Sequence, residues 1–309
     1  MTQRPALLIT PRHLGPLSAF LDSSFDVYRL WEAPPLEAAP EVRAVVTAGE
    51  YLLDSTLLEK LPNLSLVACL TAGYEGIDLD WCRAHDIAVT HAPNVNHEDV
   101  ADHAIGLIIG SRRNIISGDR LLRNGEWTPE LRMLSPSLRN QKVGIVGLGA
   151  IGQAVAKRAS AFDMQVSWWG PRDKDSDWSR AESLLDLARQ SDILVVSSRA
   201  DDTNYHLINA EVLRALGPDG LLVNVSRGQL VDETALISAL QDGSLGSAAL
   251  DVFEVEPTPA EQWAKVPNLV LTPHTGGATT EAVQGMLMLL LQNLTAHFSG
   301  KPLISPVEA

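Results

Sequence analysis

An apolar segment, a glycine-rich turn and a helical segment follow one another at residues 142–161, and this succession constrains the fold more than any other feature of the chain. A short apolar run is typical of a buried parallel strand, and three glycines in a GxGxxG pattern come directly after it. These glycines permit a tight turn and a close backbone approach to a pyrophosphate, which the free N–H groups of the helix start would face. The pattern predicts a dinucleotide site whose contacts are Gly147, Gly149, Ala150, Ile151 and Gly152.

Strand-like segments alternate with helical ones on both sides of this turn, which is the rhythm of parallel sheets covered by helices. The sequence therefore predicts an α/β fold with two Rossmann-like or flavodoxin-like lobes, each with its own parallel sheet. The first series of predicted strands is Ala6–Thr10, Val42–Thr47, Leu64–Leu70 and Ile87–Thr90, and the second is Gln165–Trp169, Ile193–Val196, Leu221–Val225, Ala248–Leu250 and Val270–Leu271.

Two helical segments predict how the lobes are connected. Residues 99–123 carry apolar side chains at helical spacing, which predicts one long helix that leaves the first lobe. The last predicted helix, residues 280–298, lacks a strand partner in the second series, so we expect it to pack on the N-terminal lobe. The nucleotide domain, residues 99–278, is then inserted into a discontinuous substrate domain of residues 1–98 and 279–309, with the substrate in the cleft between the lobes.

Composition excludes several classes of function. The formal net charge of −14 argues against nucleic acids and anionic membranes as partners, because both attract basic surfaces. Cys69 and Cys82 are too few and too loosely placed for a disulfide framework or a zinc site, so no metal site is predicted. Neither an apolar leader nor a run of about 18 apolar residues is present, and we expect a cytoplasmic protein.

Four separated motifs resemble those of the D-isomer-specific 2-hydroxyacid dehydrogenases, in the order of that family and over nearly the whole chain. They are Thr71-Ala72-Gly73-Tyr74-Glu75-Gly76-Ile77-Asp78, the glycine turn, Asn224-Val225-Ser226-Arg227-Gly228, and Asp251-Val252-Phe253-Glu254-Val255-Glu256-Pro257 with Thr272-Pro273-His274-Thr275-Gly276-Gly277. The resemblance implies that Arg227, Glu256 and His274 are the catalytic residues of a nicotinamide-dependent reductase of 2-oxo acids.

The chemistry of these three side chains fits the implied roles. Imidazole titrates near neutral pH, so His274 can donate a proton to the ketone oxygen in one direction and accept it in the other. The carboxylate of Glu256 would orient the ring and favour imidazolium. The planar guanidinium of Arg227 can bind the carboxylate and the carbonyl of a substrate together. The other seven histidines are interpreted as structural: His13, His85, His91, His97, His103, His206 and His297.

The resemblance also implies a carboxylate site in the first lobe, formed by backbone N–H groups of Thr71, Ala72 and Gly73. Tyr51, Leu52 and Tyr74 are the candidates for selecting the substrate side chain, with a place in the core as the alternative. Asp251 matches the family position that contacts the nicotinamide amide, and its alternative role is to cap the turn that follows it.

The choice between the two nicotinamide cofactors depends on the residues after the second strand of the nucleotide domain. An NAD site offers an acidic residue about 20 residues beyond the glycines, whereas this chain has Gly170 there and Arg172 two positions later. NADP(H) is therefore preferred, and NAD(H) stays an alternative because Asp173 or Asp175 can turn inward. The remaining predicted cofactor contacts are Ser198, Arg199, Val225, Ser226, Arg227, Asp251, His274, Gly276 and Gly277.

We therefore expect NADPH-dependent reduction of small 2-oxo acids, of the glyoxylate and hydroxypyruvate type, to D-2-hydroxy acids. The resemblance also implies a homodimer built on the nucleotide domains, around residues 100–140. Formate dehydrogenase is disfavoured because that enzyme has glutamine at the position of Glu256, and long phosphoglycerate dehydrogenases because this chain stops soon after Phe298. A dinucleotide-sensing, corepressor-like binding protein of the same fold is the alternative of another class.

Overall fold

The computed structural model of the protein describes residues 4–32 and 40–307. These residues form two compact units: one takes its residues from Met1–Val95 and Thr280–Ala309, and the other is Asn96–Thr279. The predicted domain limits, and the roles of the two domains in binding substrate and cofactor, stay a prediction.

Strands and helices alternate along the described chain. The strands are β1 (Ala6–Ile9), β2 (Asp26–Arg29), β3 (Val42–Thr47), β4 (Leu66–Cys69), β5 (Ala88–Thr90), β6 (Lys142–Val146), β7 (Gln165–Trp169), β8 (Ser179–Arg180), β9 (Ile193–Val196), β10 (Leu221–Asn224), β11 (Ser247–Leu250) and β12 (Leu269–Leu271). The α-helices are α1 (Gly15–Ser18), α2 (Ser55–Leu58), α3 (Leu79–Ala84), α4 (His97–Arg112), α5 (Ile115–Arg123), α6 (Ala150–Ala161), α7 (Leu184–Gln190), α8 (Ala210–Leu216), α9 (Glu233–Asp242), α10 (Ala260–Trp263) and α11 (Thr280–Phe298).

The first unit contains a five-stranded sheet in the order β2-β1-β3-β4-β5, and all its strand pairs are parallel. This is the strand order of flavodoxin-like folds. Helix α11 packs on β4, and its residues Ala282, Met286, Leu290 and Leu294 join the apolar core on one face of the sheet. The final helix therefore lies on the N-terminal sheet, as its lack of a strand partner in the second series predicts.

The second unit contains a seven-stranded parallel sheet in the order β12-β11-β10-β9-β6-β7-β8. Helices α4 and α6 cover one face through one apolar core, and α7, α8 and α9 cover the other face through a second. The strand order reverses between β6 and β9, and such a switch point is where doubly wound sheets bind ligands. The two parallel sheets and the insertion confirm the predicted fold class.

The prediction of one long helix over residues 99–123 is wrong. The structure has two helices, because Asn114 adopts a left-handed conformation with φ of 54° and ends the regular hydrogen bonding between α4 and α5. Asparagine tolerates this conformation better than most residues do. Strands β2 and β8 were not among the predicted strands, and both lie at the edges of their sheets.

Both cysteines are buried in the first unit. Burial raises the pKa of Cys69 and of Cys82 to about 11, so neither thiol is ionised near neutral pH. Their burial agrees with the interpretation of Cys69 as a core residue. None of the helices in residues 4–32 and 40–307 combines the length and apolar character needed to span a lipid bilayer.

Candidate active site

The predicted site residues of the second unit lie where the strands of its sheet end, at their carboxyl termini. We call this side of the sheet the carboxyl edge. Because the strands are parallel, the segments that follow β6, β7, β9, β10, β11 and β12 all emerge there. Predicted site residues within the first three positions of these segments include Gly147, Gly170, Ser198, Arg227 and Asp251. Glu256 and His274 follow within the last two segments, so this edge collects the predicted catalytic set.

The glycine turn leaves room for a ligand where a side chain would otherwise stand. Gly147 has φ of 92°, and a Cβ there would lie 2.5 Å from the Cα of Ser198, so only glycine fits. A Cβ on Gly149 would meet nothing within 4 Å. Helix α6 begins directly after Gly149 without a side-chain cap, so its first N–H groups are available to an anion. The turn therefore fits the pyrophosphate of a dinucleotide.

His274 and Glu256 form a hydrogen-bonded pair at the carboxyl edge. The Nδ1–H of His274 donates to Oε2 of Glu256 at 2.6 Å, and the backbone N–H of Phe253 donates to Oε1 of Glu256 at 2.9 Å. The backbone of His274 is left-handed, with φ of 53°, and its N–H donates to the carbonyl of Asp251 at 2.8 Å. The ring is thus held through both its backbone and Nδ1, which leaves Nε2 for proton exchange.

Electrostatics in this pair favour imidazolium beside carboxylate. The hydrogen bond to Glu256 raises the pKa of His274, although burial opposes this and the charge of Arg227 lowers it. Burial acts to raise the pKa of Glu256, but the hydrogen bonds from His274 and Phe253 outweigh it, and the pKa lies below its ordinary value. The arrangement keeps His274 protonated to higher pH than a free imidazole.

Arg227 sits in a turn that Asn224 shapes. Asn224 is fully buried; its Oδ1 accepts the N–H of Ser226 at 3.1 Å, and its Nδ2 donates to the carbonyl of Arg227 at 2.9 Å. The Nη1 of Arg227 donates to the carbonyl of Ser226 at 2.8 Å. The charge of this guanidinium acts on both His274 and Glu256. The three predicted catalytic residues therefore belong to one electrostatic cluster.

Asp251 ties the turn at residues 272–276 to the end of β11. Its Oδ1 accepts from the hydroxyl of Thr272 at 2.5 Å and the N–H of Thr275 at 2.9 Å, and Oδ2 accepts the N–H of Gly276 at 2.8 Å. Burial acts to raise the pKa of Asp251, but its hydrogen bonds, beginning with that from His103, outweigh it and lower the pKa. Asp251 thus caps this turn, and its predicted contact with a nicotinamide amide stays a prediction.

The segment after β7 brings basic side chains to the glycine turn. The Nζ of Lys174 donates to the carbonyl of Leu148 at 2.7 Å, and Arg180 donates from Nη2 to the carbonyl of Gly170 at 2.8 Å. Nη1 of Arg180 also pairs with the carboxylate of Asp173, so that acidic group already has a cation. Arg172 is exposed. Of these basic groups Lys174 contacts the glycine turn, and residues 170–180 hold as many acidic side chains as basic ones.

Hydrogen bonds fix the turn of Thr71, Ala72 and Gly73 in the first unit, which is the predicted carboxylate site. The hydroxyl of Thr71 accepts the N–H of Gly49 at 2.8 Å, and Nδ1–H of His91 donates to the carbonyl of Ala72 at 2.9 Å. Within the described residues, no backbone hydrogen bond engages the N–H of Ala72 or Gly73. These two adjacent donors suit a carboxylate.

The three residues predicted to select the substrate side chain have different surroundings. Tyr51 and Leu52 are 50% and 88% exposed, so a place in the core is excluded for both. The ring of Tyr74 meets the His91 ring edge-on, with the centroids 4.9 Å apart.

Several side chains that contact the predicted motifs of either unit were not predicted. His91 holds the Ala72 carbonyl, Nε2 of His103 bonds to the hydroxyl of Thr272 at 2.9 Å, and Nε2 of His206 bonds to Oε1 of Glu254 at 2.8 Å. Lys174 and Glu233 were also missed. The sequence offered only weak signals for them, because each contact joins segments that the sheet topology brings together.

Residues 105–276 match the family model described as "D-isomer specific 2-hydroxyacid dehydrogenase, NAD binding domain". The chain belongs to the D-isomer-specific 2-hydroxyacid dehydrogenase family. This confirms the resemblance that the four motifs indicate.

Two relatives of the chain are reductases by name. The chain is 41% identical over 302 residues to hydroxyphenylpyruvate reductase of Plectranthus scutellarioides, covering 94% of this chain and 96% of the relative. It is also 41% identical over 302 residues to glyoxylate/hydroxypyruvate reductase A HPR2 of Arabidopsis thaliana, with the same coverage of 94% and 96%.

A solved family member has the same fold. The NADPH-dependent glyoxylate/hydroxypyruvate reductase of Sinorhizobium meliloti, in complex with NADP and malonate, is 35% identical to this chain. The two structures superpose with a TM-score of 0.90, covering 99% of this chain and 97% of that chain. The similarity therefore extends over both units.

Proposed function

We propose that this protein reduces small 2-oxo acids, of the glyoxylate and hydroxypyruvate type, to D-2-hydroxy acids with NADPH. The observation that carries the proposal is the pair of His274 and Glu256 at the carboxyl edge, within the field of Arg227. Reduction of a 2-oxo acid requires a proton donor and a cation, and here the oriented imidazole of His274 and the guanidinium of Arg227 supply them. The reductases of Plectranthus, Arabidopsis and Sinorhizobium support the same reaction class.

The residues at the carboxyl edge fit a dinucleotide. Open space at Gly149 and the uncapped start of α6 suit a pyrophosphate. Gly170, in place of an acidic residue, and the exposed Arg172 suit a 2′-phosphate better than a 2′-hydroxyl. A reduced nicotinamide supplies the hydride when it is bound. The residues proposed to hold the dinucleotide are Gly147, Gly149, Ala150, Ile151, Gly152, Gly170, Arg172, Ser198, Arg199, Val225, Ser226, Arg227, Asp251, His274, Gly276 and Gly277.

The catalytic residues divide the remaining work. His274 gives its Nε2 proton to the developing alkoxide, because Nδ1–H is already committed to Glu256. Glu256 stabilises the imidazolium that precedes this transfer. Arg227 binds the substrate carboxylate and polarises the ketone, which stabilises negative charge on its oxygen.

In the first unit we propose that Thr71, Ala72 and Gly73 contribute to carboxylate binding. Among the described residues, the N–H groups of Ala72 and Gly73 donate to no backbone carbonyl, which supports this role, and so does the hydrogen bond by which His91 fixes the Ala72 carbonyl. This assigns substrate binding to residues 1–98 and 279–309 and dinucleotide binding to residues 99–278. Exposed Tyr51 and Leu52, with Tyr74, are the candidates for side-chain selection.

Initial rates test the proposed activity directly. Glyoxylate, hydroxypyruvate, pyruvate and an aromatic 2-oxo acid are each supplied with NADPH and with NADH, and oxidation of the cofactor is followed by absorbance. We expect turnover of a small 2-oxo acid, faster with NADPH at equal concentration. Tight cofactor binding without turnover of any 2-oxo acid would instead favour the dinucleotide-sensing protein.

We also propose a homodimer through the nucleotide domains. Helix α5 has no buried residue, and the segment around it exposes large apolar side chains, among them Trp127 at 69% and Leu134 at 90%. Apolar surface of this kind marks an association site. Light scattering should report a dimer that Trp127→Ala combined with Leu134→Ser weakens, whereas Phe20→Ser, at another exposed apolar residue, should leave the mass unchanged.

A cytoplasmic location completes the proposal. It is supported by the two free, buried cysteines, which suit a reducing compartment. Cell fractionation followed by immunodetection tests it, and recovery of the protein outside the cytoplasmic fraction would contradict it.

A further inference from the structure

Glu233 and Glu254 hold each other by reciprocal hydrogen bonds. Glu233 is the first residue of α9 and is only 7% exposed. Its Oε1 accepts the backbone N–H of Glu254 at 2.8 Å, and Oε1 of Glu254 accepts the backbone N–H of Glu233 at 3.2 Å. The other oxygen of Glu233 accepts Nε2–H of Gln262 at 2.6 Å. One buried carboxylate therefore connects α9, the segment after β11 and α10.

Residues 253–254, which lie in the segment that Glu233 binds, also contact other parts of the second unit. A Cβ on Gly228 would lie 1.8 Å from the carbonyl carbon of Phe253, so the Arg227 turn touches this backbone directly. The ring of Phe253 packs against Trp263, with centroids 5.7 Å apart. Residues 253–254 are therefore confined between α9, α10 and the Arg227 turn.

A short chain of bonds leads from Glu233 to the proton donor. Glu233 accepts the N–H of Glu254, and the N–H of the preceding residue, Phe253, donates to Oε1 of Glu256. The other oxygen of Glu256 holds His274. We propose that Glu233 is a positioning residue that sets Glu256 in register with His274, an inference that rests on the proposed roles of Glu256 and His274.

Glu233 contributes a side chain long enough for its oxygen to accept the N–H of Glu254, and its negative charge is not required. Burial raises its pKa, and the carboxylates of Glu254 and Glu256 raise it further, while the bonds from Glu254 and Gln262 oppose this. Negative charge at Glu233 is thus unfavourable in its surroundings. An acceptor at the correct distance from the Glu254 N–H is what the segment requires.

Two substitutions separate reach from charge. Glu233→Asp keeps a carboxylate at the start of α9 but is one methylene too short to reach Glu254. Glu233→Gln loses the charge but keeps the length, and Gln262 can reverse its amide to accept the new N–H. The control is Glu211→Asp, because Glu211 is an exposed glutamate in the first turn of α8.

Turnover of a 2-oxo acid at saturating NADPH is measured as a function of pH for each variant. We expect Glu233→Asp to lower kcat by about 10- to 100-fold, the usual effect of a small misplacement, and to shift the pH profile of reduction to lower pH. Glu233→Gln and Glu211→Asp should resemble the wild type. Wild-type kinetics in Glu233→Asp, or a larger loss in Glu233→Gln than in Glu233→Asp, would overturn the proposal.

NMR titration of His274 keeps this inference separate from the proposed reaction, because it needs no turnover. In folded Glu233→Asp the pKa of His274 should be lower than in the wild type, since Glu256 is displaced. An unchanged His274 pKa in that variant overturns the positioning role. A lowered pKa, in a protein that reduces no 2-oxo acid, supports the positioning role and rejects the proposed function.

Discussion

Glu256 bridges the N–H of Phe253 and the ring of His274, with 2.9 Å on one side and 2.6 Å on the other. Its two oxygens therefore have different duties: one fixes the carboxylate to its own loop, and the other fixes the tautomer and orientation of the imidazole. Because Nδ1 carries the bonded proton, Nε2 is the atom that changes protonation. The orientation of the proposed acid is thus determined by a loop 18 residues earlier in the chain.

Glu256→Gln should shift the pH profile of reduction to lower pH. The hydrogen bond to the carboxylate of Glu256 is the main cause of the raised pKa of His274, and an amide removes that carboxylate. In the variant, His274 therefore loses its proton at a lower pH than in the wild type. The amide keeps the size and shape of the carboxylate, so the fold should be retained, but its single oxygen can accept from only one of the two N–H groups that Glu256 binds. The check is kcat against pH under conditions limited by proton transfer, and an identical profile in both proteins would remove Glu256 from this role.

His274→Ala should lower the rate of reduction by about 100- to 10,000-fold, the usual contribution of a general acid. NADPH binding should be weakened far less than catalysis, since His274 is one of many proposed contacts and the glycine turn is formed by other segments. His85→Ala is the control, because His85 stacks on Trp81 in the first unit. More than half of the wild-type turnover in His274→Ala would exclude it as the proton donor.

Much of the fold was predictable because its strands are short apolar runs bounded by turns. Strands β3, β7 and β9 and helix α11 have the predicted bounds. The break between α4 and α5 was not predictable from periodicity, since apolar residues recur beyond it at helical spacing. The break occurs at Asn114, which has a positive φ, and residue type predicts such a backbone conformation only weakly.

Within the candidate site, the pairing of Glu256 with His274 could be predicted from the order of the family motifs. The bonds between Glu233 and Glu254 could not, because these residues are 21 positions apart and meet only through the adjacency of β10 and β11. Lys174 was missed for the same reason, since its partner Leu148 belongs to a different strand end. Local sequence reports turns and caps well, whereas these contacts depend on the topology of the sheet.

Gly228→Ala should destabilise the protein. Its Cβ would lie 1.8 Å from the carbonyl carbon of Phe253, and both partners are backbone, so the overlap requires a shift of the Arg227 turn. Overpacking of this kind typically costs about 1–3 kcal/mol of unfolding free energy. Gly106→Ala is the matched control, because a Cβ there meets nothing within 4 Å and alanine is favoured in a helix. Thermal unfolding of both variants checks this, and equal melting temperatures would contradict the clash.

Arg227→Lys should be a poor substitute, because a compact ammonium cannot make the planar two-pronged contact of a guanidinium. The defect should appear mainly as a raised KM and a lowered kcat for the 2-oxo acid, with a smaller effect on cofactor affinity, because Arg227 is only one of many proposed cofactor contacts. Arg214→Lys, at an exposed arginine of α8, controls for the loss of a guanidinium elsewhere. If Arg227→Lys matches the wild type across all 2-oxo acid concentrations, the clamp lies elsewhere.

Arg172→Ala should weaken NADPH binding while NADH binding changes little, because only NADPH carries the 2′-phosphate. A charge-assisted contact of this type corresponds to about 10- to 150-fold in affinity. Gly170→Asp should go further, since it adds an acceptor for a 2′-hydroxyl and repels the phosphate. Arg189→Ala, in which the lost arginine pairs with Asp186 on α7, controls for net charge.

Lys174→Ala distinguishes the two ways in which this segment can favour NADPH. If Lys174 only anchors the segment through the Leu148 carbonyl, its loss should weaken NADPH and NADH alike, whereas a direct phosphate contact would affect NADPH alone. We expect both cofactors to weaken, because the Nζ of Lys174 already donates to Leu148 at 2.7 Å. Direct titration of both cofactors into wild type, Arg172→Ala and Lys174→Ala decides between them. A wild type that prefers NADH would instead mean that an acidic group reads the ribose, although Asp173 is engaged by Arg180.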